Sequence, residues 1–434
     1  MELSTAKGTR DIAPERAIAR QKVMDTLRAV FELYGFSPLE TPVIERYDLL
    51  ASKYAGGAEI LKETFKLKDQ GGRELALRYD LTVPLCRFIG MNPNIKMPFK
   101  RYQIANVLRD GPMKKGRYRE FWQCDVDTVG VKEMTADSEF VMIAQDIFKR
   151  LGLKIVVKIN SRKVLNGMLA YAGIKEDMME TVILSVDKLE KFGMETVKKE
   201  LKEKGLKQEA ISKVEELLEV QGTNPVKITK LKNVLTSTEG QEGLKDIEQL
   251  FSYLQDPFTV SFEPTLARGL AYYTGTVFEV FLVDNEIKSA VAGGGRYDKM
   301  IQQFLGSKQE FPAVGISFGL DVIIDALKIE GKEKTVTKVY IIPIGLKRGE
   351  SAKLSLKDAI GIAQEFRNAG IAVDIDLVGR GVSKNLEYAN ALGIPFVAFI
   401  GEEEMKLNKV KIKNMQSGEE KLVSVEDAVN IIQG

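Results

Sequence analysis

Hydrophobic and polar positions alternate along this chain with two periods, and each change of period marks a structural boundary. Residues 12–34 place apolar side chains at helical spacing, and Gly35 ends that pattern. Over residues 35–130, short β-prone runs alternate with turns, which favours an antiparallel sheet with few helices. Residues 134–151 return to the helical period, and residues 153–159 predict another strand.

The second half of the chain has a different organisation. Residues 174–257 are helical in period, rich in Lys and Glu and without a strand-like run, as an inserted helical domain would be. A polar linker is predicted at residues 326–337, and strands alternate with helices over residues 338–434. The pattern predicts an α+β core with an antiparallel sheet over residues 1–325, interrupted by the helical insertion, followed by a C-terminal α/β domain.

The charge balance argues against a protein that coats nucleic acid. The 434 residues include 63 Lys plus Arg and 61 Asp plus Glu, so the molecule is almost neutral. A local basic patch remains possible, and a balanced enzyme can hold a structured RNA with one. No apolar run approaches the ~18–20 residues of a membrane span, and the first residues lack a signal peptide's apolar core. We therefore expect a cytoplasmic protein without a membrane segment.

The usage of cysteine and histidine narrows the chemistry. Cys86 and Cys124 are too few for a disulfide framework and have no metal-ligand spacing, so we expect both to be small buried hydrophobes. The chain contains no histidine, which excludes any mechanism that needs a protein imidazole as base, nucleophile or metal ligand. The acid, base and charge functions must therefore come from carboxylates, arginines, the substrate or magnesium.

One segment combines guanidiniums, aromatics and alternating polar side chains. Residues 116–127 have the sequence GRYREFWQCDVD, and in an extended chain the odd positions from Gln123 to Asp127 share one face. Trp122, Cys124 and Val126 share the other face, which predicts packing on one side and substrate contacts on the other. Residues 109–115 carry turn formers and positive charge, which predicts a basic loop whose natural ligand is phosphate.

Two later segments add further candidates. Arg268 is followed by Tyr272, Tyr273 and a β-prone run. Residues 292–298, with the sequence AGGGRYD, predict a turn at which the backbone approaches something closely, since glycine tolerates dihedrals that other residues avoid. The triple glycine is not a phosphate-binding P-loop, because no Gly-Lys-Ser/Thr follows at the required spacing.

These three segments, in this order, resemble motif 2 and the two histidine-specific signatures of histidyl-tRNA synthetases, which are class II aminoacyl-tRNA synthetases. Five other segments resemble the family's amino-terminal signature, motif 1, two substrate strands and motif 3: residues 7–11, 41–45, 62–65, 77–82 and 313–321. The last domain resembles the anticodon-binding domain of the histidyl, threonyl, prolyl and glycyl synthetases. The resemblance covers nearly the whole chain and implies a class II catalytic core.

The resemblance also implies a function. Members of this family use ATP with Mg²⁺ to convert L-histidine to histidyl-adenylate, and they transfer the histidine to tRNA(His). Motif 1 implies a homodimer, and the family's insertion can contact the acceptor arm of the tRNA. No metal cage made of protein side chains alone is visible in the sequence.

The resemblance assigns catalytic roles to three arginines. Arg109 and Arg268 correspond to arginines on the α-phosphate of ATP, and Arg117 corresponds to one near the departing pyrophosphate. Phe121 corresponds to the aromatic residue against adenine, which completes the predicted ATP site. Guanidiniums suit these roles because they contact phosphate oxygens in pairs and stay charged at any working pH.

The resemblance also implies a pocket for histidine, formed by Asp80, Thr82, Arg109, Gln123, Asp127, Arg268, Tyr272, Tyr273 and Tyr297. Asp80, Thr82 and Gln123 correspond to residues that hold the α-ammonium group. Asp127 and Tyr273 correspond to residues that face the imidazole nitrogens. We expect Tyr272, Tyr297 and Phe121 to form pocket walls, and ordinary core packing is the alternative for these aromatics.

Two positions depart from the family pattern and leave alternatives open. Ala271 stands where an aspartate is usual before the tyrosines, and Val322 stands where motif 3 usually has an arginine near ATP. A non-catalytic paralogue that senses histidine and regulates ATP phosphoribosyltransferase is therefore one alternative, although such proteins normally lack the last domain. A synthetase for another amino acid and a pure RNA-binding module fit the motifs less well.

Overall fold

A computed structural model describes residues 3–53, 61–112, 118–268, 272–306, 308–329, 333–345 and 356–434. Arg117 and Ala271, which the sequence singled out, lie outside these ranges. The chain divides into two compact units, which are Met1–Asp11 with Lys22–Lys328 and Ile12–Gln21 with Ile329–Gly434. No helix in the described ranges combines the length and the hydrophobicity that crossing a bilayer requires.

The first unit is built on an eight-stranded sheet. Its strands are β1 (Ser37–Pro38), β5 (Phe99–Leu108), β6 (Glu120–Val129), β7 (Ile155–Ser161), β8 (Val260–Phe262), β9 (Thr276–Leu282), β10 (Ala292–Arg296) and β11 (Ala313–Gly319). The spatial order is β1-β5-β6-β11-β10-β9-β7-β8. Only the outermost described pairs, β1 with β5 and β7 with β8, are parallel. The predicted α+β core with an antiparallel sheet is therefore confirmed.

One face of this sheet is apolar and packs against two helices, α1 (Pro14–Leu33) and α4 (Met134–Arg150). The rings of Phe31 in α1 and Phe148 in α4 lie 5.8 Å and 6.2 Å from the ring of Phe318 in β11. Cys124 pairs with Phe318 across the ladder and is fully buried, as is Val126 two positions further on. The period of two in β6 therefore directs its even positions into the core and its odd positions to the opposite face.

A smaller three-stranded sheet stands beside the large one, with the order β2-β4-β3. Its strands are β2 (Ile44–Arg46), β3 (Lys66–Lys68) and β4 (Glu74–Leu77), and three helices flank it, α2 (Tyr47–Lys53), α3 (Thr82–Met91) and α12 (Met300–Leu305). Val83, Leu85 and Ile89 of α3 pack with Met300 and Ile301 of α12 in one buried cluster. This packing fixes the first turn of α3, which carries the predicted residue Thr82.

The insertion is entirely helical apart from its connections. After α5 (Arg162–Tyr171) it contains α6 (Glu176–Val186), α7 (Leu189–Phe192), α8 (Met194–Glu203), α9 (Gln208–Leu218), α10 (Asn224–Val234) and α11 (Thr238–Tyr253). Apolar residues such as Val182, Val197 and Val214 are buried. Its Lys and Glu residues form partly exposed ion pairs such as Lys198 with Glu215 at 2.6 Å. Exposed pairs contribute little, so the apolar helix stripes stabilise the insertion.

The second unit contains a five-stranded mixed sheet with the order β13-β12-β14-β15-β16. The strands are β12 (Val339–Pro343), β13 (Val373–Ile375), β14 (Phe396–Ile400), β15 (Val410–Asn414) and β16 (Glu420–Val423). Four helices connect or follow them, α14 (Leu356–Asn368), α15 (Val382–Leu392), α16 (Glu402–Lys406) and α17 (Val425–Gln433). The pairs β12–β13 and β12–β14 are parallel, as expected for strands joined through helices. The predicted C-terminal α/β domain is therefore confirmed.

The last helix of the first unit is α13 (Leu320–Leu327).

Candidate active site

The register of β5, β6, β11 and β10 brings polar residues and glycines onto the face of the large sheet away from α1 and α4. Asp127 pairs with Arg101 on one side and with Gly315 on the other. Two residues along, Asp125 pairs with Gln103 and with Ser317, which in turn pairs with Gly293. Directly opposed residues in an antiparallel ladder point to the same side. We call this surface the polar face and define it by Arg101, Gln103, Gln123, Asp125 and Asp127.

Glycines leave room for side chains to lie flat on the polar face. A Cβ at Gly293 would come within 2.0 Å of Nη1 of Arg268, and one at Gly295 within 2.8 Å of the Tyr273 ring. These glycines belong to strand β10, so the turn predicted at residues 292–298 is wrong. The position needs glycine because other side chains occupy the Cβ space, and not because the backbone bends. The close approach that the sequence indicated is present.

Arg268 extends over the middle of β10. Its Nη1 donates a hydrogen bond to the carbonyl oxygen of Phe278 at 3.0 Å, and its guanidinium carbon lies 5.5 Å from the centre of the Tyr273 ring. Glu279, which pairs with Gly293 across the ladder, lies on the same side of the sheet. Burial raises the pKa of Glu279, and the charge of Arg268 opposes that rise. A guanidinium is thereby held above the triple glycine.

Asp127 is tied into the floor of the site through both oxygens. Tyr297 donates its hydroxyl to Oδ1 at 2.5 Å, and Nη2 of Arg101 lies 2.8 Å from Oδ2. Burial raises the pKa of Asp127, and the neighbouring Arg101 counteracts this effect. The Arg101 side chain is 0% exposed, and the sequence analysis did not identify it. Its proximity to Asp127 depends on the pairing of β5 with β6, which the alternation within one strand does not reveal.

Asp80 and Thr82 lie at the start of α3. Oδ1 of Asp80 accepts hydrogen bonds from the backbone N–H groups of Thr82 and Val83, at 3.1 Å and 2.9 Å. These are N–H groups that the first turn of a helix leaves without intrahelical partners. Burial raises the pKa values of Asp125 and Asp127, and the negative charge of Asp80 adds to both shifts. Asp80 therefore lies near these two carboxylates as well as capping the helix.

Arg109 and Phe121 meet at the other end of β6. The guanidinium carbon of Arg109 lies 4.1 Å from the centre of the Tyr79 ring and 4.9 Å from that of Phe121. Its Nε donates to the carbonyl oxygen of Tyr79 at 3.3 Å. Phe121 is an odd position of β6 and so points to the same side as Gln123. Two of the three predicted catalytic arginines thus lie on this side of the sheet, and Arg117 lies outside the described residues.

The tyrosines cluster beside the glycines. The rings of Tyr272 and Tyr273 are 4.7 Å apart, and Tyr297 meets Tyr272 edge-on at 6.3 Å. A cavity of about 580 Å³ includes Tyr272 and Tyr273 in its lining, together with charged residues such as Arg162 and Arg296. Gln123, Asp127 and Arg268 do not line it. The cavity therefore lies next to the polar face and is not the predicted pocket itself.

Several buried polar atoms on the polar face lack hydrogen-bond partners among the described residues. They are Nε and Nη1 of Arg101, Oε1 of Gln123 and Oδ1 of Asp125. Leaving a buried polar group unpaired costs about 1–3 kcal/mol, so native proteins rarely contain such groups without a reason. Donors and acceptors are both unpaired here. The arrangement suits a small polar ligand that offers both kinds of group.

A cation from the amino terminus lies beside the segment that resembles motif 3. Nη2 of Arg10 is 2.9 Å from Oδ1 of Asp321 at the start of α13, and its guanidinium carbon is 3.7 Å from the centre of the Tyr118 ring. Sequence reasoning missed this contact because 311 residues separate the two partners. A guanidinium is therefore present near Val322, the position at which the family pattern has an arginine.

Comparisons with known proteins agree with the motifs. The family model of histidyl-tRNA synthetase matches residues 8–323, and that of the anticodon binding domain matches residues 338–434. "Histidine--tRNA ligase 1" of Bacillus cereus is 42% identical over 98% of this chain and 98% of that protein. "Histidine--tRNA ligase 2" of Shouchella clausii is 43% identical over 97% of this chain and 98% of that protein.

A solved structure agrees as well. The crystal structure of histidyl-tRNA synthetase from Nostoc sp. PCC 7120 superposes with a TM-score of 0.87 and 30% sequence identity. The superposition covers 100% of this chain and 99% of that one. On the strength of these matches over its whole length, the chain belongs to the histidyl-tRNA synthetase family.

Proposed function

We propose that this protein activates L-histidine with ATP, forming histidyl-adenylate, and transfers the histidine to tRNA(His). The observation that carries the proposal is a set of buried polar atoms on one sheet face, from Arg101, Gln123 and Asp125, that have no hydrogen-bond partner among the described residues. Arg268 and Arg109 lie on the same side of the sheet. Buried hydrogen-bonding groups can bind a polar amino acid, and guanidiniums can bind a phosphate chain. The relatives that match nearly the whole chain carry the name histidine--tRNA ligase.

The proposed activation step needs charge and positioning more than proton transfer. The carboxylate of histidine attacks the α-phosphorus of ATP, the new C–O–P bond forms, and pyrophosphate leaves with the electrons of the broken P–O bond. Arg109 and Arg268 hold the oxygens of the α-phosphate, Arg117 holds the departing pyrophosphate, and Phe121 lies against adenine. Arginines that hold these oxygens stabilise the charge that builds up in the transition state.

We propose that the histidine pocket contacts the substrate at two ends, the α-ammonium group and the imidazole ring. Asp80, Thr82 and Gln123 hold the α-ammonium group, whereas Asp127 and Tyr273 lie towards the imidazole ring. Tyr272 and Tyr297 form the walls. A pocket that hydrogen-bonds a polar substrate group rejects an analogue without that group by about 10⁴–10⁵-fold, because its own buried groups then stay unpaired.

Magnesium is proposed to arrive with ATP. Within the described ranges, no group of three or more acidic or cysteine side chains is placed to hold a metal ion. Magnesium commonly keeps several waters and binds through substrate phosphates with one or two carboxylates, which is compatible with this site.

The remaining partners follow from the domain order. We propose that the α/β unit at residues 338–434 binds the anticodon of tRNA(His) and that the helical insertion contacts the acceptor arm. The segment at residues 41–45 resembles motif 1 and supports a homodimer. A cytoplasmic location suits an enzyme of translation. The histidine-sensing paralogue remains the alternative function, but the anticodon binding domain at residues 338–434 argues for the enzyme.

Histidine-dependent exchange of labelled pyrophosphate into ATP tests the proposed function. We expect exchange with histidine alone among the twenty amino acids, because only histidine satisfies the unpaired groups of the pocket. Charging of tRNA(His) with labelled histidine tests the second step. Histidine binding without any exchange would instead identify a sensor, and exchange with another amino acid would identify a different synthetase.

Two neighbouring glycines give a matched pair of variants. In Gly293→Ala the new Cβ would lie 2.0 Å from Nη1 of Arg268, the flexible end of a side chain that can move away. In Gly294→Ala it would lie 2.0 Å from the carbonyl oxygen of Gly315 and 2.6 Å from Cα of Ile316, which are backbone atoms. We expect Gly293→Ala to lower kcat for pyrophosphate exchange by about 10-fold or more with a nearly unchanged melting temperature.

The Gly294→Ala variant should behave in the opposite way. Overpacking against fixed backbone costs about 1–3 kcal/mol or more, so we expect a lower melting temperature by thermal unfolding. If the two variants lost stability equally and activity equally, the displacement of Arg268 would not explain the requirement for glycine at position 293.

A further inference from the structure

Strand β8 (Val260–Phe262) is the last described strand at one edge of the large sheet, and the segment that ends at Arg268 follows it directly. On its inner side β8 pairs in parallel with β7. At its outer side, as at any sheet edge, backbone hydrogen-bonding groups have no neighbouring strand to pair with. Helix α10 (Asn224–Val234) of the insertion provides partners for these groups. The insertion therefore contacts the strand that precedes Arg268.

Asn224 and Lys227 make these contacts from the first turn of α10. Nδ2 of Asn224 donates to the carbonyl oxygen of Val260 at 2.8 Å, and its Oδ1 accepts the N–H of Phe262 at 2.9 Å. The side-chain amide thus offers one donor and one acceptor, as a peptide group of a neighbouring strand would. Nζ of Lys227 donates to the carbonyl oxygen of Phe262 at 2.9 Å. Two side chains of one helical turn therefore take the place of a further strand beside β8.

Lys227 also extends past the strand to Glu263. Its Nζ lies 3.2 Å from Oε2 of Glu263, and Ser261 donates its hydroxyl to the other carboxylate oxygen. The side chain of Lys227 is only 9% exposed. Lysine is rarely buried to this extent without a partner, because removing its charge from water is costly. The contacts with Phe262 and Glu263 therefore maintain Lys227 in its buried position.

The leading segment, which we define as residues 263–267, connects β8 to Arg268. Two neighbouring residues of β7 hold it from the side of the sheet. The carbonyl oxygen of Ile159 accepts the N–H of Glu263 at 2.9 Å, and Nδ2 of the fully buried Asn160 donates to two carbonyl oxygens further along. These are the oxygens of Pro264 and Leu266, at 3.2 Å and 2.9 Å. The leading segment is therefore held between β7 and α10.

We infer that Lys227 is a positioning residue for Arg268, and that the helical insertion thereby takes part in the activation of histidine. The inference rests on the proposed function, in which Arg268 stabilises charge at the α-phosphate. Lys227 fixes the start of the leading segment, and that segment fixes the point from which the Arg268 side chain extends over Gly293. Misplacing a catalytic group by about 1 Å can lower a rate by about 10²-fold. Lys227 thus influences the chemical step without contacting the substrate.

The variant Lys227→Met tests the inference, because methionine keeps an unbranched side chain and removes both the charge and the donor. We expect kcat for histidine-dependent pyrophosphate exchange without tRNA to fall by about 10-fold. The KM for histidine should change by less than about 3-fold, because Lys227 lies outside the predicted pocket. A normal kcat in this variant would overturn the inference.

Lys230→Met is the matched control. It makes the same chemical change in the same helix, three residues further on, at a position that is exposed. Exchange should stay within about 2-fold of the wild-type rate, as is usual for surface substitutions away from a site. A loss equal to that of Lys227→Met would assign the effect to the positive charge of α10, and the positioning role of Lys227 would be wrong.

A double variant distinguishes positioning from a general loss of structure. If Lys227 acts through Arg268, adding Lys227→Met to Arg268→Ala should lower kcat by no more than about 2-fold beyond Arg268→Ala alone. A further loss of about 10-fold would mean that the two residues act independently, which contradicts the positioning role.

Hydrogen exchange of the ligand-free protein gives a readout that does not depend on activity. The backbone N–H groups of residues 260–267 should exchange faster in Lys227→Met than in wild type or Lys230→Met, because the leading segment has lost one attachment. Exchange followed by mass spectrometry of peptides covering these residues measures the change. Equal exchange in all three proteins would mean that Lys227 does not hold the segment.

Should Lys227→Met fail to fold, Glu263→Gln alters the same contact from the other side, since it keeps an acceptor oxygen and removes the charge. We expect kcat to change in the same direction, again without a further loss in the Arg268→Ala background. A wild-type protein without histidine-dependent exchange would refute the proposed function. An active wild-type enzyme whose Lys227→Met variant keeps its kcat and its hydrogen exchange would refute only the role of Lys227.

Discussion

Replacing Arg268 with alanine should lower kcat for histidine-dependent pyrophosphate exchange by about 10³-fold. The guanidinium extends over Gly293 and is held by the carbonyl oxygen of Phe278 at 3.0 Å. It is therefore oriented before substrate binds, and its charge acts without reorganisation when negative charge builds up at the α-phosphate. Steady-state exchange kinetics at saturating histidine and ATP measure the effect.

Two further variants control this prediction. Arg268→Lys should recover only part of the activity, because an ammonium group cannot reproduce the planar two-point contact of a guanidinium. Arg162→Ala removes a guanidinium from the neighbouring cavity and should leave exchange within about 2-fold of wild type. An Arg268→Ala enzyme with normal exchange would remove Arg268 from the catalytic machinery.

The second large effect concerns stability. Replacing Arg101 with methionine should lower the free energy of unfolding by about 3–5 kcal/mol, since it leaves a buried carboxylate without its partner. Arg101 is fully buried, and it pairs with Asp127 at 2.8 Å and donates to the carbonyl oxygen of Leu81 at 3.2 Å. Urea unfolding followed by intrinsic fluorescence measures the change.

The double variant Arg101→Met with Asp127→Asn is the matched control. Because the Asp127 charge is removed together with its partner, the double variant should lose less stability than the sum of the two single variants. Additive losses would mean that the two residues do not interact energetically. The coupling would then have to be assigned to the other contacts of each side chain, such as Tyr297 with Asp127.

The local pattern of the sequence predicted much of the fold and part of the site. The alternation in residues 121–127 predicted that Gln123, Asp125 and Asp127 share a face, and the structure places them opposite Gly319, Ser317 and Gly315 of β11. The helical period predicted α1 and α4, although both helices are slightly shorter than predicted. These features depend on the geometry of a single element, so a short stretch of sequence contains them.

Other features escaped prediction because they depend on residues far apart in the chain. Arg101 meets Asp127 through strand register, and Arg10 meets Asp321 across the unit. The triple glycine predicts a turn by local pattern alone, because the contacts that require glycine, Arg268 at Gly293 and Tyr273 at Gly295, come from residues distant in the sequence. The roles assigned to the site residues remain predictions.

The sequence by itself determined the family, the order of the two domains and the types of residue that line the site. Motifs and periodicity specify these because they are local properties of the chain. Only the tertiary structure decided which partners each carboxylate of the site has. Asp125 and Asp127 are equivalent in the sequence pattern, but strand pairing supplies Arg101 and packing supplies Tyr297 to Asp127. Asp125 instead lies opposite Ser317, and its Oδ1 has no hydrogen-bond partner among the described residues.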